Sequence, residues 1–125
     1  MFEGIDHVQL AAPVGCEPAA RRFYGVLLGL AELPKPAALA VRGGAWFQCG
    51  AQQIHIGVES EFHAAKKAHP ALRLASEAAL IALRARLEAA GVVTRDSEEV
   101  AGVARFFVDD PWGNRLELVA LRGLA

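Results

Sequence analysis

Four side chains in this sequence have the chemistry to hold a divalent metal ion together: His7, His55, His69 and Glu117. Imidazole nitrogens and carboxylate oxygens are donors that borderline ions such as zinc, nickel, iron, cobalt or manganese accept. Their separations are too long for a compact ligand motif, but they are regular. His7 and His69 stand 62 residues apart, and so do His55 and Glu117. Taken singly, each has an ordinary reading: a histidine on a half-exposed strand is usually solvated or hydrogen-bonded. Glu117, inside Leu116-Glu117-Leu118-Val119, reads alone as the outward residue of a two-faced strand. The shared register is what makes a site of them.

The elements that must position these residues repeat as well. Residues 5–11 alternate like a strand. Pro18 suits the first turn of a helix whose apolar face is Ala20, Phe23, Tyr24, Leu27 and Leu28, with Gly29 at its end. Strands are expected at 39–41, 45–49 and 53–58, with Gly43-Gly44 between the first two. A polar connector, 59–68, precedes a strand at 69–74. Ser76 can cap a helix carrying Leu80, Leu83 and Leu87 on one face and ending at Gly91. Strands at 92–94, 103–108 and 115–120 complete the chain, the last two joined by the turn-rich Asp109-Asp110-Pro111-Trp112-Gly113-Asn114. The order is strand, helix, three strands, then the same again. Gly29 and Gly91 obey the same 62-residue shift, which marks an internal repeat.

Alternation then assigns faces. His7 lies with Gln9, His55 with Gln53, His69 with Ala71 and Arg73, and Glu117 with Arg115. Each repeat therefore carries one candidate ligand on its first strand and one on its last.

Bulk properties narrow the partners. A chain of 125 residues, 54% hydrophobic and 22% charged, is expected to be one globular domain with a real core. A net charge of −1 with scattered arginines excludes a polyanion-binding stripe, so no nucleic acid is expected. No apolar run approaches the ~20 residues a bilayer requires, so no membrane is expected. MFEGIDHVQL lacks the basic-then-apolar pattern of a leader, and Cys16 and Cys49 form no C-x-x-C pair. A cytoplasmic protein with reduced thiols and a small-molecule ligand is expected.

Four segments together resemble the vicinal oxygen chelate superfamily of glyoxalases, bleomycin-resistance proteins, epoxide-opening thiol transferases and extradiol dioxygenases. They are IDHVQL, ARRFYGVLLGL, HPALRL and GVARFFVDDPWGNRLELV. The last is the most specific: aromatic strand, D-P-x-G-N turn, then L-E-L. The resemblance spans nearly the whole chain. It implies an α+β fold in which two β-α-β-β-β modules form a curved eight-stranded half-barrel sheet. Module one would cover about 1–58, the connector 59–68 and module two about 69–125. It also implies a divalent metal held by His7 and His55 from the first module and by His69 and Glu117 from the second. A homodimer with shared sites goes with it. Two departures stand out. His55 occupies a position where glyoxalase I-like members commonly carry glutamate or glutamine, and Pro70 directly follows His69.

The implied activity is that of a metal-dependent lyase or isomerase acting on a small, oxygen-rich substrate. Glu117 would serve as ligand and as the group that moves a proton. Two alternatives remain open at this level. If His55 stays off the metal, His7, His69 and Glu117 form the two-histidine, one-carboxylate triad of an extradiol-type dioxygenase. If no metal binds, the cup becomes an antibiotic-binding site walled by Trp46, Phe47 and Trp112. Arg105, between Ala104 and Phe106, is a candidate anchor for an anionic substrate group. Its ordinary alternative is a surface pair with Asp96 or Glu98.

Overall fold

The computed structural model describes residues 1–123; the end of the second module, residues 124 and 125, lies outside them. The chain divides into two compact units, Met1–Ala65 and the segment from Lys66 onward. Each unit is a four-stranded mixed sheet with helix packed on it, so the eight strands divide four and four. Among the described residues no helix is long and apolar enough to cross a membrane.

In the first unit β1 (His7–Ala12) is followed by α1 (Glu17–Ala20), which runs into a π-helical stretch, Arg21–Leu27. Ala20, Phe23 and Tyr24 are the buried face of that segment. Gly29 ends it at φ +77, the left-handed conformation that glycine adopts without a Cβ penalty. Then come β2 (Ala31–Leu33), the short helix α2 (Ala37–Ala40), β3 (Ala45–Cys49) and β4 (Gln52–Val58). The strand order is β1-β4-β3-β2, with β1 parallel to β4.

The strand expected at 39–41 is not there: those residues form α2 and its C-terminal cap. Pro36 sets the start of the turn, and three alanines with a leucine favour helix over sheet. The unit's second strand is instead Ala31–Leu33, a three-residue edge strand too short to show a period. Between α2 and β3 the chain passes Gly43 and Gly44, both at positive φ. A Cβ on Gly44 would lie 2.0 Å from the Ile56 carbonyl oxygen, so only glycine lets this segment lie flat on β4.

The second unit repeats the plan with β5 (Ala71–Arg73), α3 (Glu77–Ala89), β6 (Thr94–Asp96), β7 (Val103–Asp109) and β8 (Arg115–Leu121), ordered β5-β8-β7-β6. Ser76 caps α3 by accepting from the Ala79 amide at 3.1 Å, and Leu80, Leu83 and Leu87 are its buried face. Two strands begin two residues later than expected. β5 begins at Ala71 rather than 69, because Pro70 has no amide to give the ladder. β6 lies at Thr94–Asp96, two residues later than the apolar pair Val92-Val93 suggests.

The registers make the repeat explicit. Gln9 pairs with His55 and Leu10 with Ile56; a shift of 62 gives Ala71 with Glu117 and Leu72 with Leu118, which are the pairs observed. Across the hairpins Trp46 pairs with His55 and Phe107 with Glu117, a shift of 61 on the first strand of each pair. The missing residue is in the turn. Gly50-Ala51 links Cys49 to Gln52, whereas Asp110 and Asn114 are joined by three residues.

Candidate functional site

The first half of the candidate site is a stack of three rings on β1, β4 and β3. His55 lies between His7 (centroids 4.1 Å apart, planes at 13°) and Trp46 (4.0 Å, 5°). Parallel pairing of β1 with β4 and antiparallel pairing of β4 with β3 put the three on one face. His7 Nδ1 donates to Asp6 Oδ2 at 2.8 Å, which leaves Nε2 as its free nitrogen. His55 is only 5% exposed, and its Nε2 donates to Gln53 Oε1 at 2.8 Å. Burial, then the neighbouring His7, hold the His55 pKa below that of an ordinary imidazole. Asp6 opposes the shift, and Lys35 adds a little to it. His55 is thus kept neutral, the form in which imidazole binds metals or accepts a proton.

A cavity of about 460 Å³ opens beside these rings, within the same unit. His7, Gln9, Trp46 and His55 form one side, and Lys35 and Arg42, which flank α2, form another. Gly57 makes room there, since a Cβ on it would lie 2.8 Å from the Gln9 amide. Phe47 does not contribute: it is fully buried against Tyr24 in the core, because it alternates with Trp46 along β3. Trp112 belongs to the β7–β8 turn, where its amide donates to Asp110 Oδ1 at 3.1 Å. Asp110 also accepts from the Asn114 amide (2.8 Å) and from Asn114 Nδ2 (2.9 Å). Both residues are buried, so the D-P-x-G-N motif is a turn lock.

The second half lies in the other unit. His69, just ahead of β5, donates through Nδ1 to the carbonyls of Lys66 (3.1 Å) and Lys67 (3.0 Å). Its Nε2 faces Glu117 Oε1 at 3.2 Å. Arg105 from β7 donates to Glu117 Oε2 at 3.2 Å and to the Glu98 carbonyl at 3.1 Å, and its Nε is buried without a partner among the described residues. Neither expected surface pair forms: Asp96 is taken by Arg84 at 2.7 Å, and Glu98 offers only its backbone. Phe107, at the register of Trp46, meets the His69 ring edge-on at 5.5 Å.

This arrangement fits a cation. With Nδ1 committed as a donor, a neutral His69 turns an Nε2 lone pair toward a carboxylate oxygen, two acceptors face to face. A proton or a metal ion makes that contact attractive. Two neighbouring ligands with ~2.0–2.2 Å bonds to one ion stand ~3 Å apart, close to the 3.2 Å observed. Histidine ligands also characteristically donate their second nitrogen to a carbonyl or carboxylate, as His69 and His7 both do. Within its own unit neither pair acquires a third His, Cys, Asp or Glu donor among the described residues. Each unit therefore carries two of the four candidate ligands. Cys16 is buried, its thiol pushed up to about 11 by burial and then by Glu17, and it takes no part.

The family model for the glyoxalase/bleomycin resistance protein/dioxygenase superfamily matches residues 4–118. The chain belongs to this superfamily. Among solved structures it is similar to a glyoxalase family protein from Bacillus anthracis, with 48% identity, 98% of each chain covered and a TM-score of 0.92. Lactoylglutathione lyase from Agrobacterium tumefaciens shares the fold at 20% identity, covering 95% of this chain and 94% of that one, with a TM-score of 0.73. The fosfomycin resistance protein FosX from Listeria monocytogenes does so at 16% identity, covering 100% and 96%, with a TM-score of 0.74. A search of curated protein sequences finds no match.

Sequence reasoning missed three groups at these half-sites. Gln53, which alternation places only on the face of His55, holds His55 directly. Lys35 and Arg42 were hidden because the segment between them was read as a strand. The Gly43-Gly44 pair was the available signal that this segment bends onto a neighbour.

Proposed function

We propose that this superfamily member is a metal-dependent lyase or isomerase of glyoxalase type, acting on a small, oxygen-rich substrate. His7, His55, His69 and Glu117 are assigned as ligands of one divalent ion, two from each unit, and the protein is read as a homodimer with shared sites. The observation that carries this reading is the His69–Glu117 contact, an imidazole nitrogen and a carboxylate oxygen 3.2 Å apart with His69 Nδ1 already committed to backbone carbonyls.

When bound, the ion supplies Lewis-acid stabilisation of negative charge developing on neighbouring substrate oxygens. The remaining work falls to the chain. Glu117 takes a proton from the carbon beside a carbonyl and returns it to the adjacent carbon, so no outside oxidant or reductant is required. Arg105 fixes Oε2 of that carboxylate, leaving Oε1 as the mobile basic atom, and is assigned as a substrate-binding group for an anionic oxygen. Trp46 holds the His55 ring flat and offers its edge to the substrate.

One observation favours a second reading. His55 Nε2 already donates to Gln53. If that bond persists, His7, His69 and Glu117 form a two-histidine, one-carboxylate set, and His55 becomes the acid–base group of an iron-dependent, extradiol-type dioxygenase. Metal analysis of protein purified without added metal, followed by assays with a hemithioacetal and a catechol, separates the two. Glu117→Ala is expected to lose the bound metal; unchanged metal content in that variant removes Glu117 from the ligand set. A wild-type protein that takes up no metal, and gains no thermal stability from any, overturns both readings in favour of metal-free binding of a small molecule.

A further inference from the structure

The cavity beside His7 and His55 has an electrostatic bias that the metal reading does not use. Two of its lining residues, Lys35 and Arg42, are full cations, and no carboxylate lines it. Both stand on one strap, the segment 34–44 built around α2. That strap is tied at each end. Pro34 and Pro36 stiffen its beginning, and its end is fixed where the Gly44 amide donates to Glu17 Oε2 at 2.7 Å. The Lys35 ammonium donates to the Gly43 carbonyl, which closes the strap on itself and leaves two of its three N–H bonds for another acceptor. Arg42 has no side-chain partner among the described residues. Among the acidic groups nearby, Asp6 pairs with His7, while Glu17 accepts from the Gly44 amide and lines a neighbouring cavity together with Lys35.

Two cations lining a cavity of this size, with no carboxylate among its described lining residues, form a receptor for an anion. The rest of the lining is mixed: His7, Gln9, His55 and the Trp46 ring, with Leu39 and Val58 among its apolar members. A volume of about 460 Å³ lies in the range of small-molecule sites. We propose that this cavity takes a small ligand carrying an oxyanion, a carboxylate or a phosphonate or phosphate, which Lys35 and Arg42 bind while its uncharged part lies against Trp46. Arg42 provides the paired donors that match such a group, and Lys35 adds a point charge. Calling this ligand the substrate rests on the function proposed above; the anion site itself stands without a metal.

The test uses Trp46 as reporter. Of the two tryptophans, Trp112 is removed by Trp112→Phe. The protein, once chelated and once reloaded with metal, is titrated with methylphosphonate, with propionate and with neutral hydroxyacetone. Saturable quenching or enhancement by either anion in the chelated protein, and none by hydroxyacetone, is expected; which anion binds more tightly identifies the headgroup. The pair Lys35→Gln and Arg42→Gln should raise the Kd at least tenfold while leaving metal content unchanged and the protein folded. Calorimetry on the protein with both tryptophans gives the same reading should Trp112→Phe fail to fold. Equal binding by the double variant, or no saturable anion response, overturns the inference. An anion response in a protein that takes up no metal leaves this site standing and overturns the metal reading; metal uptake without anion response does the reverse.

Discussion

At the scale of single residues, the chemistry turns on how Glu117 is held. Arg105 grips Oε2 of the carboxylate and the Glu98 carbonyl together, so it sets Oε1 as the oxygen that faces His69. Side chains that orient a metal ligand are typically worth ten- to a hundred-fold in metal affinity or activity. Arg105→Ala is therefore expected to weaken metal binding by roughly that factor, measured by competition with a chelating dye. Arg105→Lys should rescue it poorly, because one ammonium cannot span both acceptors with the guanidinium's geometry. A variant that binds metal like the wild type would assign Arg105 to packing over Phe107 alone. The candidate ligands themselves were legible from sequence, because their types and common register survive without coordinates. Their partners were not. Arg105 pairs across the β7–β8 hairpin with Val119, two residues from Glu117, and only the observed side-chain directions join them.

At the scale of elements, short segments escaped the sequence and long ones did not. α3 and β8 show many periods of their pattern and were placed nearly to the residue. Residues 39–41 show barely one period, which suits a strand or a helical turn equally, and here the alanines and Pro36 decided for helix. The strap so formed depends on Glu17. Its carboxyl lies below the usual carboxylate value of 4.5, chiefly because the Gly44 amide donates to it, with burial opposing. A depressed folded pKa contributes stability above the unfolded value and loses it as pH falls through the folded one. Urea denaturation should accordingly show the wild type losing stability below about pH 4.5. Glu17→Gln should start less stable at neutral pH and lose less on acidification. Parallel pH profiles for the two proteins would show that the Glu17–Gly44 bond contributes nothing to the strap.

At the scale of the whole molecule, the repeat explains why the candidate site comes in halves. One 62-residue shift maps His7 onto His69 and His55 onto Glu117, and the β1–β4 and β5–β8 registers obey it. Each unit holds two candidate donors and no third among the described residues, so the proposed four-ligand set calls on two units. Homodimerisation with shared sites makes a specific prediction about where the second unit comes from. One variant, His7→Ala with His55→Ala, removes the first half-site; another, His69→Ala with Glu117→Ala, removes the second. Each alone should purify without metal. Unfolded together and refolded as a mixture, they can form mixed dimers in which an intact first unit meets an intact second unit of the other chain. Half of randomly formed dimers are mixed and each holds one good site of two, so roughly a quarter of wild-type metal content is expected. Recovery at that level, with activity in proportion, places the two halves of each site on different chains. No recovery, with dimers verified by light scattering, places both halves on one chain and removes the shared-site dimer from the proposal.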